Sequence, residues 1–177
     1  MLANTGITTL VSGTVGAASA AQDQLQIPGI AFSGTTGTAM AWNVSPVPDY
    51  ASIYAALATT LTTTLLASGE ASPLLPANTW LNVNFPAAGK GTPCTSPDQF
   101  AFVLSRIYSS VRLVPGADVV TCNNRARLPT ESDVVGTSSG CFVSVSVGHA
   151  NTKLDADAAE QAVVLQKLGG ILTCLPR

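Results

Sequence analysis

The chain has 177 residues, enough for one domain with a sizeable core; 46% are hydrophobic and only 10% charged. That balance excludes a highly charged disordered tail, and eight Lys and Arg residues scattered over a chain of net charge −2 exclude the basic footprint of a nucleic-acid polymer partner. No stretch reads as long and apolar enough to span a bilayer, so no membrane partner is expected.

Residues 7–21 are uncharged and end in Ala18-Ser19-Ala20-Ala21, which resembles a signal-peptidase site. No Lys or Arg precedes them, however, and Gly13 and Gly16 interrupt the run, so a secretory signal is disfavoured. The better reading is turn, helix, strand. Ser12-Gly13-Thr14 forms a tight turn, and Thr14 is expected to cap a helix over Val15–Gln26. Ile27-Pro28-Gly29 ends it, and Ile30-Ala31-Phe32-Ser33 reads as a buried strand closed by Gly34. A helix built of Ala, Gly and Ser can lie close to a sheet, because nothing large separates the backbones.

A Gly, Ser and Thr-rich loop over 33–46 holds the glycosylation sequon Asn43-Val44-Ser45. A long helix over 49–68 follows, with Ile53, Leu57, Leu61, Leu65 and Leu66 on one face and Gly69 at its end. Its Thr run lowers its intrinsic propensity, so packing must stabilise it. Thr79–Phe85 alternates as a strand does, with Trp80, Asn82 and Asn84 on one side and Leu81, Val83 and Phe85 on the other. Further strands are expected at 100–108, 118–122 and 141–147, and a last amphipathic helix at 155–168 with Asp155 as its cap. The order predicts one α/β layered domain: an α/β part over 1–86, a β-rich extension over 87–147 and a C-terminal helix over 148–177.

Cys94, Cys122, Cys141 and Cys174 have no C-x-x-C spacing, and a single His accompanies them, which argues against zinc. Their even number, wide spacing and the sequon favour two disulfides and a secreted protein; all three connectivities stay open, and four buried thiols are the alternative.

The run Asn4-Thr5-Gly6, then Ser12-Gly13-Thr14-Val15-Gly16-Ala17-Ala18, then Ile27-Pro28-Gly29-Ile30-Ala31-Phe32-Ser33 resembles the SurE family of metal-dependent acid phosphatases and nucleotidases. Leu81-Asn82-Val83-Asn84-Phe85-Pro86 is similar to that family's L-N-V-N-x-P strand, and Val145-Ser146-Val147-Gly148 with Asp155 and Asp157 to its C-terminal strand and helix. The four cysteines and Phe142–Gly148 resemble the fungal secreted branch. The resemblance implies a three-layer, Rossmann-like SurE fold whose first strands lie upstream of this sequence, leaving an exposed sheet edge. It implies a phosphate ester or nucleoside monophosphate as substrate, a divalent metal (Mg or Mn) as cofactor, and a homo-oligomer formed through the extension.

The residues agree with a phosphate site. A hydroxyl-Gly-hydroxyl turn that opens a helix offers free amides and the positive end of the helix dipole to an anion. The resemblance assigns Asn4, Ser12, Gly13 and Thr14 to the phosphate side. The metal ligands it implies, an Asp-Asp pair, a Ser and an Asn, match no residues here, so no catalytic or metal residue is assigned. Little or no hydrolysis is therefore expected of the chain as given. The alternatives are a non-catalytic remnant and an unrelated secreted structural or surface protein. His149 lacks a partner motif and reads as a surface or loop residue. Asp155 and Asp157 read as helix-start caps, Trp42 and Trp80 as core, and no G-x-S-x-G elbow suggests a serine hydrolase.

Overall fold

The computed structural model describes residues 3–69, 73–109 and 116–176. A 3-10 turn at Gly6–Leu10 leads into helix α1 (Gly13–Leu25), strand β1 (Gly29–Gly34), helix α2 (Asp49–Ala67) and strand β2 (Thr79–Phe85). Strand β3 (Phe100–Ser105), helix α3 (Glu131–Gly136), strand β4 (Cys141–His149) and helix α4 (Ala158–Leu168) follow. The strands form one sheet in the order β1-β2-β4-β3. β1 is parallel to β2, β3 is parallel to β4, and β2 meets β4 antiparallel. The 87–147 stretch thus contributes β3 and β4 to the same sheet as β1 and β2.

Every residue of β2 is buried, because helices cover both faces of the sheet. On one face Leu81, Val83 and Phe85 join Val143, Val145 and Val147 of β4 and Phe102 and Leu104 of β3. They pack under Ile53, Leu57, Leu61 and Leu65 of α2 and Val164 and Leu168 of α4. On the other face Trp80 packs with Val15 and Ala18 of α1, Ala31, Ile107 and Ala150. The register carries a polar row across that second face. Ser33 pairs with Asn84, Asn84 with Ser144, Asn82 with Ser146, and Ser146 with Ser105.

Several boundaries move. Ser12, not Thr14, caps α1: its hydroxyl accepts from the Val15 amide at 3.2 Å, and Thr14 lies inside the first turn. The close approach of α1 to the sheet is present, since a Cβ on Gly29 would strike the Ala18 carbonyl. β3 stops at Ser105 because Arg106 turns its amide to Pro129 and its carbonyl to Glu131, both at 2.9 Å. No strand forms at 118–122. Cys122 and Asn123 adopt φ of 53° and 55°, left-handed values that no strand tolerates, and the Asp118 carboxylate turns inward to the Leu128 amide. α4 begins at Ala158 with Asp157 as its cap, at 2.8 and 3.0 Å from the Ala159 and Glu160 amides, so Asp155 is not the cap.

α2 also corrects the reading that nothing is long and apolar enough to cross a membrane: its 19 residues, at a mean hydropathy of 1.2, meet that test by length and composition. Here its Ile and Leu side chains supply the core, and Thr59, Thr60, Thr63 and Thr64 bond their hydroxyls to carbonyls of the preceding turn. The cysteines pair as Cys94–Cys141 and Cys122–Cys174, and none is free.

Candidate functional site

Ser12 fixes the start of α1 and so decides which amides are left over. A helix leaves its first amides without intrahelical partners. The Val15 amide is taken by Ser12 Oγ and the Gly16 amide by the Ser12 carbonyl. Gly13 and Thr14 are exposed, and among the described residues their amides find no hydrogen-bond partner. Ser12 Oγ accepts, so its own proton remains available to a ligand. The first turn contains no acidic residue. Instead a cation sits beside it. The Lys153 ammonium contacts the Leu10 carbonyl at 3.4 Å and lies 3.9 Å from where a Cβ on Gly16 would be. Two positive potentials therefore meet at this helix start, an arrangement that an anion stabilises.

Asn4 occupies a different place. Its amide donates to Ser33 Oγ at 2.9 Å, and its carbonyl accepts from Asn82 Nδ2 at 2.6 Å and Asn84 Nδ2 at 3.3 Å. Ser33 Oγ in turn donates to Asn84 Oδ1 at 2.5 Å. The polar row of the sheet thus serves as a floor that grips the Asn4 backbone. Gly6 then turns with φ of 54°, a conformation that glycine adopts without strain. Among the described residues no hydrogen bond joins Asn4 to Ser12, Gly13 or Thr14. The four expected residues therefore fall on two adjoining pieces, linked by the Gly6–Leu10 turn.

Under this floor lies Glu131, the first residue of α3 and fully buried. Its Oε1 accepts from Asn82 Nδ2 at 2.7 Å, while its Oε2 and Asn82 Oδ1 make no hydrogen bond among the described residues. Burial pushes its carboxyl up to about 8, against the opposing pull of Asn82, Ser146 and the Gly6 amide. Nearby, Arg106 pairs with Asp118 at 2.8 Å and Asp155 at 3.5 Å. Asp155 accepts from the Ile107 and Tyr108 amides at 2.6 and 3.2 Å; burial raises its carboxyl even so. Tyr108 bonds Thr9 at 2.8 Å and the Lys153 carbonyl at 3.2 Å, tying the turn before α1 to the segment that presents Lys153.

The remaining candidates separate. His149 ends β4 and pairs with Glu160 at 3.3 Å. Trp80 is core, whereas Trp42 is 96% exposed and is not. A cavity of about 330 Å³ opens elsewhere, between Leu104, Leu128, Leu165 and Leu172 beside the Cys122–Cys174 bridge, and contains none of the expected residues.

A family model described as "Survival protein SurE" matches residues 2–103, more than half of the chain. The chain belongs to the SurE family. No curated protein matches it. SurE proteins are metal-dependent phosphatases or nucleotidases, so the unrelated structural protein is set aside, and the three-layer α/β sheet is the SurE-like fold. The described residues do not fit the family's metal. A hard divalent cation takes six or so oxygen ligands, yet no group of three His, Cys, Asp or Glu side chains converges among the described residues. Ser12 Oγ caps α1, Asp155 holds two amides, and Glu131 is enclosed. The sequence reading missed Lys153 and Glu131. The alternating Asn and Ser of β2 and β4 were the available signal that this sheet has a polar face with something to hold.

Proposed function

We propose that this SurE-family chain binds the phosphate group of a phosphomonoester, a nucleoside monophosphate or a simpler ester, at the start of α1. The observation that carries this is the pair of free Gly13 and Thr14 amides at the start of α1 with the Lys153 ammonium beside the same turn, at Leu10 and Gly16, and no carboxylate in that turn to answer them. The amides would donate to phosphate oxygens, the Ser12 hydroxyl would add a third donor, and Lys153 would neutralise charge. In the family, a divalent metal polarises the phosphate and activates water. The described residues offer no donor set for it, and no step is derived through it. We assign these residues the phosphate-binding part of a phosphomonoester hydrolase of this family, with little or no hydrolysis expected of them alone; the non-catalytic reading is the alternative. Two disulfides and the exposed Asn43 sequon support a secreted, glycosylated protein.

Calorimetry with inorganic phosphate tests the binding. Lys153→Gln is expected to weaken it by roughly tenfold, about 1.4 kcal/mol. Equal affinity in the variant, or no binding by the parent chain, overturns the assignment. Incubation with p-nitrophenyl phosphate and Mg or Mn is expected to release no product above background; clear turnover would overturn the non-catalytic reading.

A further inference from the structure

Glu131 is a buried acid that no step of phosphate binding uses, and its surroundings give it one outlet. Its Oε1 and the Asn4 carbonyl both accept from the Asn82 Nδ2 amide group, at 2.7 and 2.6 Å. The Gly6 amide and the Ser146 hydroxyl face the same carboxyl. α3 is too short to hold Glu131 there alone. A capping box between Thr130 and Asp133 and the Arg106 bridge to Pro129 and Glu131 fix it against the end of β3.

We propose that Glu131 is a positioning residue of the phosphate side: its carboxyl group holds Asn82, and through Asn82 the Asn4–Gly6 backbone, in the place that orders the turn into α1. This rests on the phosphate site proposed above. The charges that face Glu131 make the device sensitive to pH. Asp155, between β4 and α4, repels its anion. Arg106 at the end of β3 is already shared between Asp118 and Asp155, and among the described residues no cation pairs with Glu131. Tyr108, packed on the same side, also feels Glu131 and would carry no positive charge to offset it. Glu131 Oε2 makes no hydrogen bond among the described residues, so ionisation places a charge in a closed space that the facing Gly6 amide and Ser146 hydroxyl only partly offset. Relief comes by letting water in, and the piece that can lift is the Asn4–Gly6 segment above it. The segment is therefore gripped while Glu131 is neutral and loosened as it ionises.

The test uses the full chain and reads amide hydrogen exchange of Asn4, Thr5 and Gly6 between pH 5 and 9, corrected for intrinsic rates. The parent chain is expected to lose protection by up to about tenfold per pH unit once the acid ionises. Glu131→Gln keeps the acceptor for Asn82 and removes the ionisation, so its protection is expected to stay level across the range. A Glu131→Gln profile that falls like the parent's overturns the proposal. Carbon-13 observation of the Glu131 carboxyl in the parent chain covers the case in which the variant does not fold. A titration that coincides with the loss of protection supports the proposal, and one complete below pH 5 overturns it. Phosphate binding is measured in parallel. If protection follows Glu131 but phosphate binds at no pH, the positioning of Asn4–Gly6 stands and the phosphate site falls.

Discussion

Removing the Ser12 hydroxyl alters two things at once. Ser12→Ala frees the Val15 amide and takes away the cap, a loss of about 1 kcal/mol in urea unfolding. It also unfixes the start of α1, so phosphate binding is expected to weaken along with stability. Ser12→Asp restores the cap but sets a negative charge at the anion site, so stability is expected to return while phosphate binding does not. Glu131 governs a second residue-scale effect, whose sign follows from its raised carboxyl. The folded chain binds a proton that the unfolded chain has released, so Glu131 contributes no stability penalty below about pH 4.5 and a growing one as pH rises through about 8. The span is on the order of 5 kcal/mol. Urea unfolding at pH 5 and pH 9 is expected to show the chain markedly more stable in acid, with much of the difference absent from Glu131→Gln. Neither role of Glu131 could be read from the sequence, because the partner that defines it, Asn82, lies 49 residues away. Thr14 was mistaken for the cap for a simpler reason: it carries the hydroxyl that a cap needs, as Ser12 does, and only the backbone path of the preceding turn decides between them.

At the scale of elements, burial on one face decides how much can be read ahead. The strands read at Thr79–Phe85 and at 141–147 are both present, the second running on to His149, because a sheet sandwiched between helices sorts its residues with period two. α2 was equally legible from Ile53, Leu57, Leu61 and Leu65, which are core, whereas Leu66, read onto the same face, is exposed. Leu61 is fully buried among them, and Leu61→Ala is expected to cost about 2–5 kcal/mol by calorimetry or denaturant unfolding. The stretch 118–122 misled because its apolar residues look like a strand while the chain is bent there. Buried Asp118 and the Cys122–Cys174 bridge set that path, and neither constraint has a local signature. The contact between α1 and β1 makes a sharper demand on a single residue. Gly29→Val would drive a side chain into the Ala18 backbone, and it is expected to move α1 away from the sheet and weaken phosphate binding, as well as lower stability.

Across the whole molecule, two disulfides close loops with sequence separations of 47 and 52 residues. Cys94–Cys141 ties the segment after β2 to the start of β4, and Cys122–Cys174 ties the bent loop to the tail after α4. Reduction of either is expected to cost about 2–5 kcal/mol. The family and the layered fold were both readable because they rest on ordered local motifs, Ser12–Ala18, Gly29–Ser33 and Leu81–Pro86, that survive without knowledge of contacts. The division of labour on the two faces was not. One face of the sheet is hydrocarbon beneath α2 and α4, and the other carries, beside the Trp80 cluster, a polar floor that holds the backbone leading to α1. The account stands or falls on whether an anion sits where that backbone delivers the helix. The direct measurement is a titration of the nitrogen-15-labelled chain with inorganic phosphate, followed amide by amide. Saturable shifts centred on Gly13 and Thr14, reduced in Lys153→Gln, are the expected result. Shifts that are absent there, or that centre on another surface, contradict it.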